Sequence, residues 1–321
     1  MPTLLVNHMV NATVEVTTGG VTTTRIVQSN AAGTITLSVA LPGATAEGDK
    51  IRVLADYHAA NQPTGTINDT QLMYRPLLVT NGNPLGKVWA TIGTSIEAGV
   101  GDGQVAGYVW RALNNELATV VANWLPSVSI QRLARASSFA NEWSELQSPS
   151  ITALLRACDI AVGHSITNNL PIGGITLATL KAQELRSAVN NGRAVRSRTV
   201  VYSCPGPRTT STDSWATVTN QTTTNSEPLR VQIISWMLDT GPTGFVGQCA
   251  AQGVTAYVSR SLLTNECDVM GTPTPNGGGG RWIVGRTDPA SQQPHPNTAG
   301  HIASGAVLRS ELIAWGFALP Q

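Results

Sequence analysis

The feature that most constrains the fold is an alternation that begins near Leu85 and holds to the C-terminus. Short apolar runs at 88–92, 128–133, 160–163, 199–203 and 254–257 alternate with stretches of helical apolar spacing. The helical stretches are 108–123, 151–157, 177–190, 228–238 and 299–315. A run apolar on every residue suits a strand buried on both faces, and parallel strands need a crossover between them. The pattern predicts a parallel sheet covered by helices on both sides, an α/β fold.

Ahead of it the pattern is different. Residues 12–17, 24–27, 34–39 and 50–54 alternate polar and apolar at period two. Gly19-Gly20, Ala32-Gly33 and Pro42-Gly43 stand between them as turn signals. Asn81-Gly82-Asn83-Pro84 closes this part. The chain therefore reads as a small β-rich domain over 1–84, for attachment, oligomerisation or shielding, and an α/β domain over 85–321. The only titratable residues that stand out in the first part are Asp56 and His58.

A hydrophobic share of 41% supports a sizeable core, while charged residues are only 12% and the net charge is +1. Such a balance gives no field for nucleic acid or an anionic membrane, and no apolar run is long enough to span a bilayer. The polar surface falls to Thr, Ser, Asn and Gln, a composition that suits an extracellular or virion-associated protein. The N-terminus lacks the basic and apolar regions of a signal peptide. Cys158, Cys204, Cys249 and Cys267 lie singly, without metal-ligand spacing; free buried thiols are favoured over a Cys249–Cys267 disulfide. Gly277 to Gly280 reads as a mobile loop.

Three places gather chemistry. Lys87 to Gly99 is a strand that breaks into a Gly-flanked turn with Ser95 at its tip, where open α/β sheets bind ligands. Asp159 to Leu170 is a strand running into a turn with Asn168 and Asn169; an amide there donates to an oxyanion or closes an Asx-turn. His295-Pro296-Asn297 precedes the C-terminal helix, so His295 is the best-placed base and His301, inside the helix, the weaker one. A fourth stretch, Gln131 to Phe139, would offer a backbone N–H. Arg208, Asp213 and Trp215 follow a strand and so border the same crevice; Trp215 would stack on a sugar or sit in the core. Eight tryptophans against three phenylalanines tilt the balance toward a carbohydrate partner.

In this order the blocks resemble the SGNH (GDSL-like) hydrolase family over 85–321. Gly93-Thr94-Ser95 is similar to its Gly-Asp-Ser, with Thr94 in place of Asp. Ile166-Thr167-Asn168-Asn169 is similar to Gly-x-Asn-Asp, with Gly and the last Asp replaced. Residues 292–300 are similar to Asp-x-x-His-Pro-Asn-x-x-Gly, with Gln292 in place of Asp. Ser137 stands where the family has its second-block glycine.

The resemblance implies a flavodoxin-like sheet and a serine hydrolase that needs no metal or organic cofactor. Ser95 would be the nucleophile and His295 the base. Ser95 N–H, Ser137 N–H and the Asn168 amide would bind the oxyanion. Either Asp288 or a backbone carbonyl would orient His295, with Asp288 preferred. The substrate implied is an acyl group, an acetyl above all, on a carbohydrate or another small ester. Two rivals stand beside it: a lipid or thioester hydrolase, which would want an apolar groove, and a non-catalytic carbohydrate-binding or virion structural protein on the same scaffold.

Overall fold

A computed structural model of the chain describes residues 13–18, 21–31, 34–41, 50–54, 87–120, 128–144, 149–289 and 295–319. The chain divides into two compact units, Met1–Gly82 and Asn83–Gln321. Asp56, His58 and Gln292 lie outside the described residues.

The first unit holds β1 (Thr13–Thr18), β2 (Val21–Ala31), β3 (Thr34–Leu37) and β4 (Lys50–Leu54), an antiparallel sheet in the order β3-β2-β1-β4. Thr18 pairs with Val21, so β1 and β2 meet across two residues, as a tight hairpin requires.

The second unit runs β5 (Val88–Gly93), α1 (Gly107–Asn114), β6 (Ser129–Arg132), α2 (Ala140–Ser144), α3 (Pro149–Arg156), β7 (Ile160–His164), α4 (Leu177–Ala194) and β8 (Thr199–Ser203). There follow β9 (Thr209–Ser211), β10 (Gln221–Thr223), α5 (Glu227–Leu238), α6 (Phe245–Ala251), β11 (Thr255–Ser259), β12 (Glu266–Cys267), β13 (Arg281–Trp282) and α7 (Thr298–Ala314). Five strands form one sheet in the order β6-β5-β7-β8-β11, every neighbouring pair parallel. The first strand has the second on one side and the third, fourth and fifth on the other, which is the flavodoxin-like order. Successive residues feed opposite layers, as the strand pleat demands. Ala90, Ile92, Ala161, Val200 and Tyr202 pack with α3, α4, α5 and α6, through Leu155, Leu180, Ile233 and Phe245. Trp89, Ile160, Val162 and Val201 pack with α1 and α7 through Tyr108, Leu113, Leu308 and Leu312.

Three expectations change. The helix expected over 108–123 ends at Asn114, with Asn115 left-handed at its cap (φ 58°). Arg111, locked on Asp102, also donates to the carbonyls of Glu116 (3.0 Å) and Ala118 (2.6 Å), so those carbonyls turn away from helical partners. The helix expected to stop at Asn190 runs to Ala194. Asn191, just past the expected end, buries its amide against the Tyr202 hydroxyl (2.9 Å). The run of glycines at 277–280 is tied at both ends, the Gly277 N–H donating to Thr274 and the Gly280 N–H to the buried Glu266 carboxylate, while Gly278 is exposed. All four cysteines are free and buried. Among the described residues no helix is long and apolar enough to cross a membrane.

Candidate active site

The parallel register aligns Gly93 of β5 with His164 of β7, so both strands end at one edge of the sheet. This is the point where the strand order reverses, and where such sheets open a crevice. Ser95 follows Gly93 and is 8% exposed. Gly93 has φ +118°, and a Cβ there would lie 2.3 Å from the His164 carbonyl oxygen; only glycine lets the two strand ends close up so tightly. The turn is then knotted by its own backbone: Ala98 N–H donates to Thr94 and Val100 N–H to Ser95.

His295 arrives from the other end of the sequence. Its carbonyl accepts from Asp288 N–H (2.9 Å) and from the Thr287 hydroxyl (3.0 Å), and Asn297 N–H donates to Arg286 (3.1 Å). Asn297 then caps α7, accepting from Gly300 N–H at 3.0 Å. Gly300 permits the approach, since a Cβ there would meet the Arg286 carbonyl at 2.3 Å. These ties bring His295 Nε2 to 2.6 Å from Ser95 Oγ. His301, one turn into α7, is fully buried and its Nε2 bonds the carbonyl of Val100 (3.0 Å). It secures the nucleophile turn and stands apart from the reacting pair.

Burial above all, then the charge of His301, pushes the His295 pKa down; Asp288 opposes, Arg208 adds to the fall, and the result is about 4. The ring is therefore neutral near pH 7, and its Nε2 can accept the Ser95 proton. The Asp288 expectation is corrected. Its hydrogen bond to His295 runs through its backbone, and His295 Nδ1 has no hydrogen-bond partner among the described residues. Asp288 acts on the imidazole through charge.

Ser95, Ser137 and Asn168, the three expected oxyanion donors, follow the parallel strands β5, β6 and β7 and so lie at one edge of the sheet. No hydrogen bond among the described residues engages Ser95 N–H or Ser137 N–H. Ser137 holds φ +62°, the left-handed conformation glycine favours, so the serine keeps the backbone turn at some strain. Ser138 anchors that turn by donating from its hydroxyl to Gly93 (2.9 Å). Asn168 Nδ2 donates to the Ser138 carbonyl (2.9 Å), using one of its two N–H groups. Asn169 is committed elsewhere: its Oδ1 accepts from Ala140 N–H (2.8 Å) at the start of α2, and its Nδ2 donates to Gln183. Ser165 is likewise engaged, with Glu184.

Beneath Ser95 lies a network that the sequence did not announce. Glu97 is fully buried and accepts from Thr94 N–H (2.9 Å), the Thr94 hydroxyl (3.2 Å), the Tyr108 hydroxyl (2.9 Å) and His164 Nδ1 (2.6 Å). Burial disfavours charge on His164, but the Glu97 carboxylate beside it prevails and raises its pKa. His164 Nε2 bonds the Thr167 hydroxyl, one residue before Asn168. The nucleophile turn and the asparagine turn are thus joined through one buried ion pair. Thr94-Ser95-Ile96-Glu97 has the spacing of a capping box, which was the available signal for Glu97.

Trp215 belongs to the core: it is buried and its Nε1 donates to Thr209 (2.8 Å). Asp213 closes its own turn through Ser211, Thr217 and Asn220, which hold its carboxyl well below the usual range. Arg208 stays at the edge, donating from Nη1 to the Thr167 carbonyl (2.7 Å).

No family model matches the chain, and no curated protein does. Solved structures with which it shares a likeness include an acetyl esterase mutant bound to acetate ion, at 14% identity and a TM-score of 0.41, covering 71% of this chain and 97% of the other. A second is an acetyl-xylooligosaccharide esterase from Geobacillus stearothermophilus, at 14% and 0.42, covering 74% and 97%. A third is a Bacillus subtilis protein, YxiM, at 15% and 0.43, covering 97% and 77%. At these TM-scores the likeness alone assigns no activity.

Proposed function

We propose that this chain is a serine esterase of the SGNH type, which cleaves acyl esters by way of an acyl-enzyme. The observation that carries the reading is the 2.6 Å contact between Ser95 Oγ and a neutral His295 Nε2, at the crevice edge of a flavodoxin-like sheet. A serine hydroxyl is a weak nucleophile until an adjacent base takes its proton, and this pairing supplies one. Ser95 Oγ attacks the ester carbonyl as His295 accepts the proton. The oxyanion is met by Ser95 N–H, Ser137 N–H and the Asn168 amide, and His295 returns the proton to the departing alcohol. Water then attacks the acyl-enzyme with His295 again as base. The imidazolium formed on the way is stabilised by the charge of Asp288 in a dyad, without an acid bonded to Nδ1.

The preferred substrate is an acetyl ester on a carbohydrate. That choice rests on the family resemblance of the Ser95, Asn168 and His295 blocks. The β unit would hold or present the esterase, and the low-charge, Thr/Ser/Asn-rich composition fits an extracellular or virion setting. Hydrolysis of p-nitrophenyl acetate by the full chain and by Ser95→Ala tests the reading. Turnover by the first that is lost in the second supports it; equal turnover in both removes Ser95 as the nucleophile, and no turnover in either counts against the esterase.

A further inference from the structure

The three arginines most deeply set in the second unit are not treated alike. Arg111 is locked by Asp102, with contacts of 2.8 Å to each carboxylate oxygen. Arg230 is held by both Glu227 and Glu266. Arg208 is 8% exposed, has no carboxylate within ion-pair reach among the described residues, and donates only to the Thr167 carbonyl. Its Nε is buried without a hydrogen-bond partner. A guanidinium so deeply placed normally finds an anion, because the loss of water is otherwise uncompensated.

Its place in the fold says where the anion would come from. Arg208 lies five residues beyond β8, the neighbour of β7, so it stands at the same sheet edge as Ser95 and Asn168. Its one bond is to the residue preceding Asn168, and its charge reaches the His295 ring. The buried carboxylates of this region are engaged elsewhere: Glu97 takes four donors, and Glu184 takes the backbone N–H and the hydroxyl of Ser165.

Resting on the esterase reading, we infer that Arg208 binds a carboxylate of the substrate, so that the acylated carbohydrate is an acidic one. The planar fork of a guanidinium matches a carboxylate with two parallel hydrogen bonds. The residue is thus a determinant of specificity, apart from the chemical step.

The test uses the full-length Ser95→Ala protein and two ligands, an O-acetylated methyl glucuronoside and its carboxamide, which differ only at the carboxyl group. Calorimetry should show the acid binding about 10–100-fold more tightly than the amide, the worth of a hydrogen-bonded charge. Arg208→Gln in the same background should bring the ratio near one, and Arg208→Lys should keep part of it. A ratio near one with Arg208 present, no measurable binding of the acid, or a ratio that survives Arg208→Gln overturns the inference. The acid-to-amide ratio needs no change at Arg208, so it decides even if that variant does not fold. Turnover of p-nitrophenyl acetate by the unaltered chain reports separately on the esterase reading. A tenfold ratio without turnover retains the Arg208 site and removes the esterase; turnover with a ratio near one does the reverse.

Discussion

Glu97→Gln is the substitution whose consequence follows most directly from the buried network. The carboxylate takes four donors on two oxygens: Thr94 N–H and hydroxyl on one, Tyr108 and His164 on the other. Glutamine keeps one oxygen and turns an NH₂ toward the remaining two donors, and the charge opposite His164 disappears. Breaking a buried ion pair from one side costs about 3–5 kcal/mol. For a unit of this size each kcal/mol moves the midpoint about 2–4 °C, so the melting temperature should fall by about 6–20 °C. All eight tryptophans lie beyond residue 82, so their fluorescence reports on the second unit alone. The pH dependence has a definite sign. The folded pKa of His164 is raised, so the pair's contribution is complete below the unfolded value and is lost as pH rises through the folded one. The gap between wild type and Glu97→Gln should therefore narrow in alkaline buffer. A fall of less than about 2 °C, or a gap that widens with pH, would refute the ion pair as the tie between the two turns.

Further outcomes follow from the same geometry. With His295 lowered to about 4, kcat/KM for a neutral ester should stay level through neutrality and fall only as pH approaches that value; a fall centred near 6.5 would show a differently placed base. Asn168→Ala should reduce kcat by about 10²–10³ with little change in KM, as expected for a donor used in the transition state. Asn169→Ala should instead lower stability by about 1–3 kcal/mol, since it strands the buried Ala140 N–H; steady-state kinetics and thermal melts on the two variants separate these roles. Asp288→Asn keeps the backbone contact and removes a charge that raises the His295 pKa. It should leave turnover within about tenfold and move the acid limb to lower pH, whereas a loss of several orders of magnitude would restore Asp288 as a bonded orienting acid.

The sheet was legible because its inner strands β5, β7 and β8 are buried and largely apolar, while the edge strands β6 and β11, only partly buried, still sit on the shorter apolar runs. The His-Pro-Asn block was legible because its parts act locally: Asn297 caps α7, and Gly300 touches the strand-like segment at Arg286. Less legible were features that depend on distant partners. Glu97 and His164 are 67 positions apart, and nothing in either neighbourhood announces the other. The early end of α1 depends on Arg111 being held by Asp102 from the preceding loop. The helix expected over 177–190 continues because Asn191, the next residue, finds a buried partner for its amide in Tyr202 on β8. Asp288 sat at a plausible distance along the chain, but backbone pairing at 286–288 fixes which of its groups meets His295.

The central claim is that Ser95 is a nucleophile activated by His295, and covalent labelling addresses it without a guess at the natural substrate. The full chain would be treated with a fluorophosphonate, digested, and its peptides weighed. The account expects one phosphonyl adduct, on the peptide carrying Ser95, absent in Ser95→Ala and formed much more slowly in His295→Ala. An unlabelled protein, an adduct on another serine, or a labelling rate indifferent to His295→Ala would contradict it.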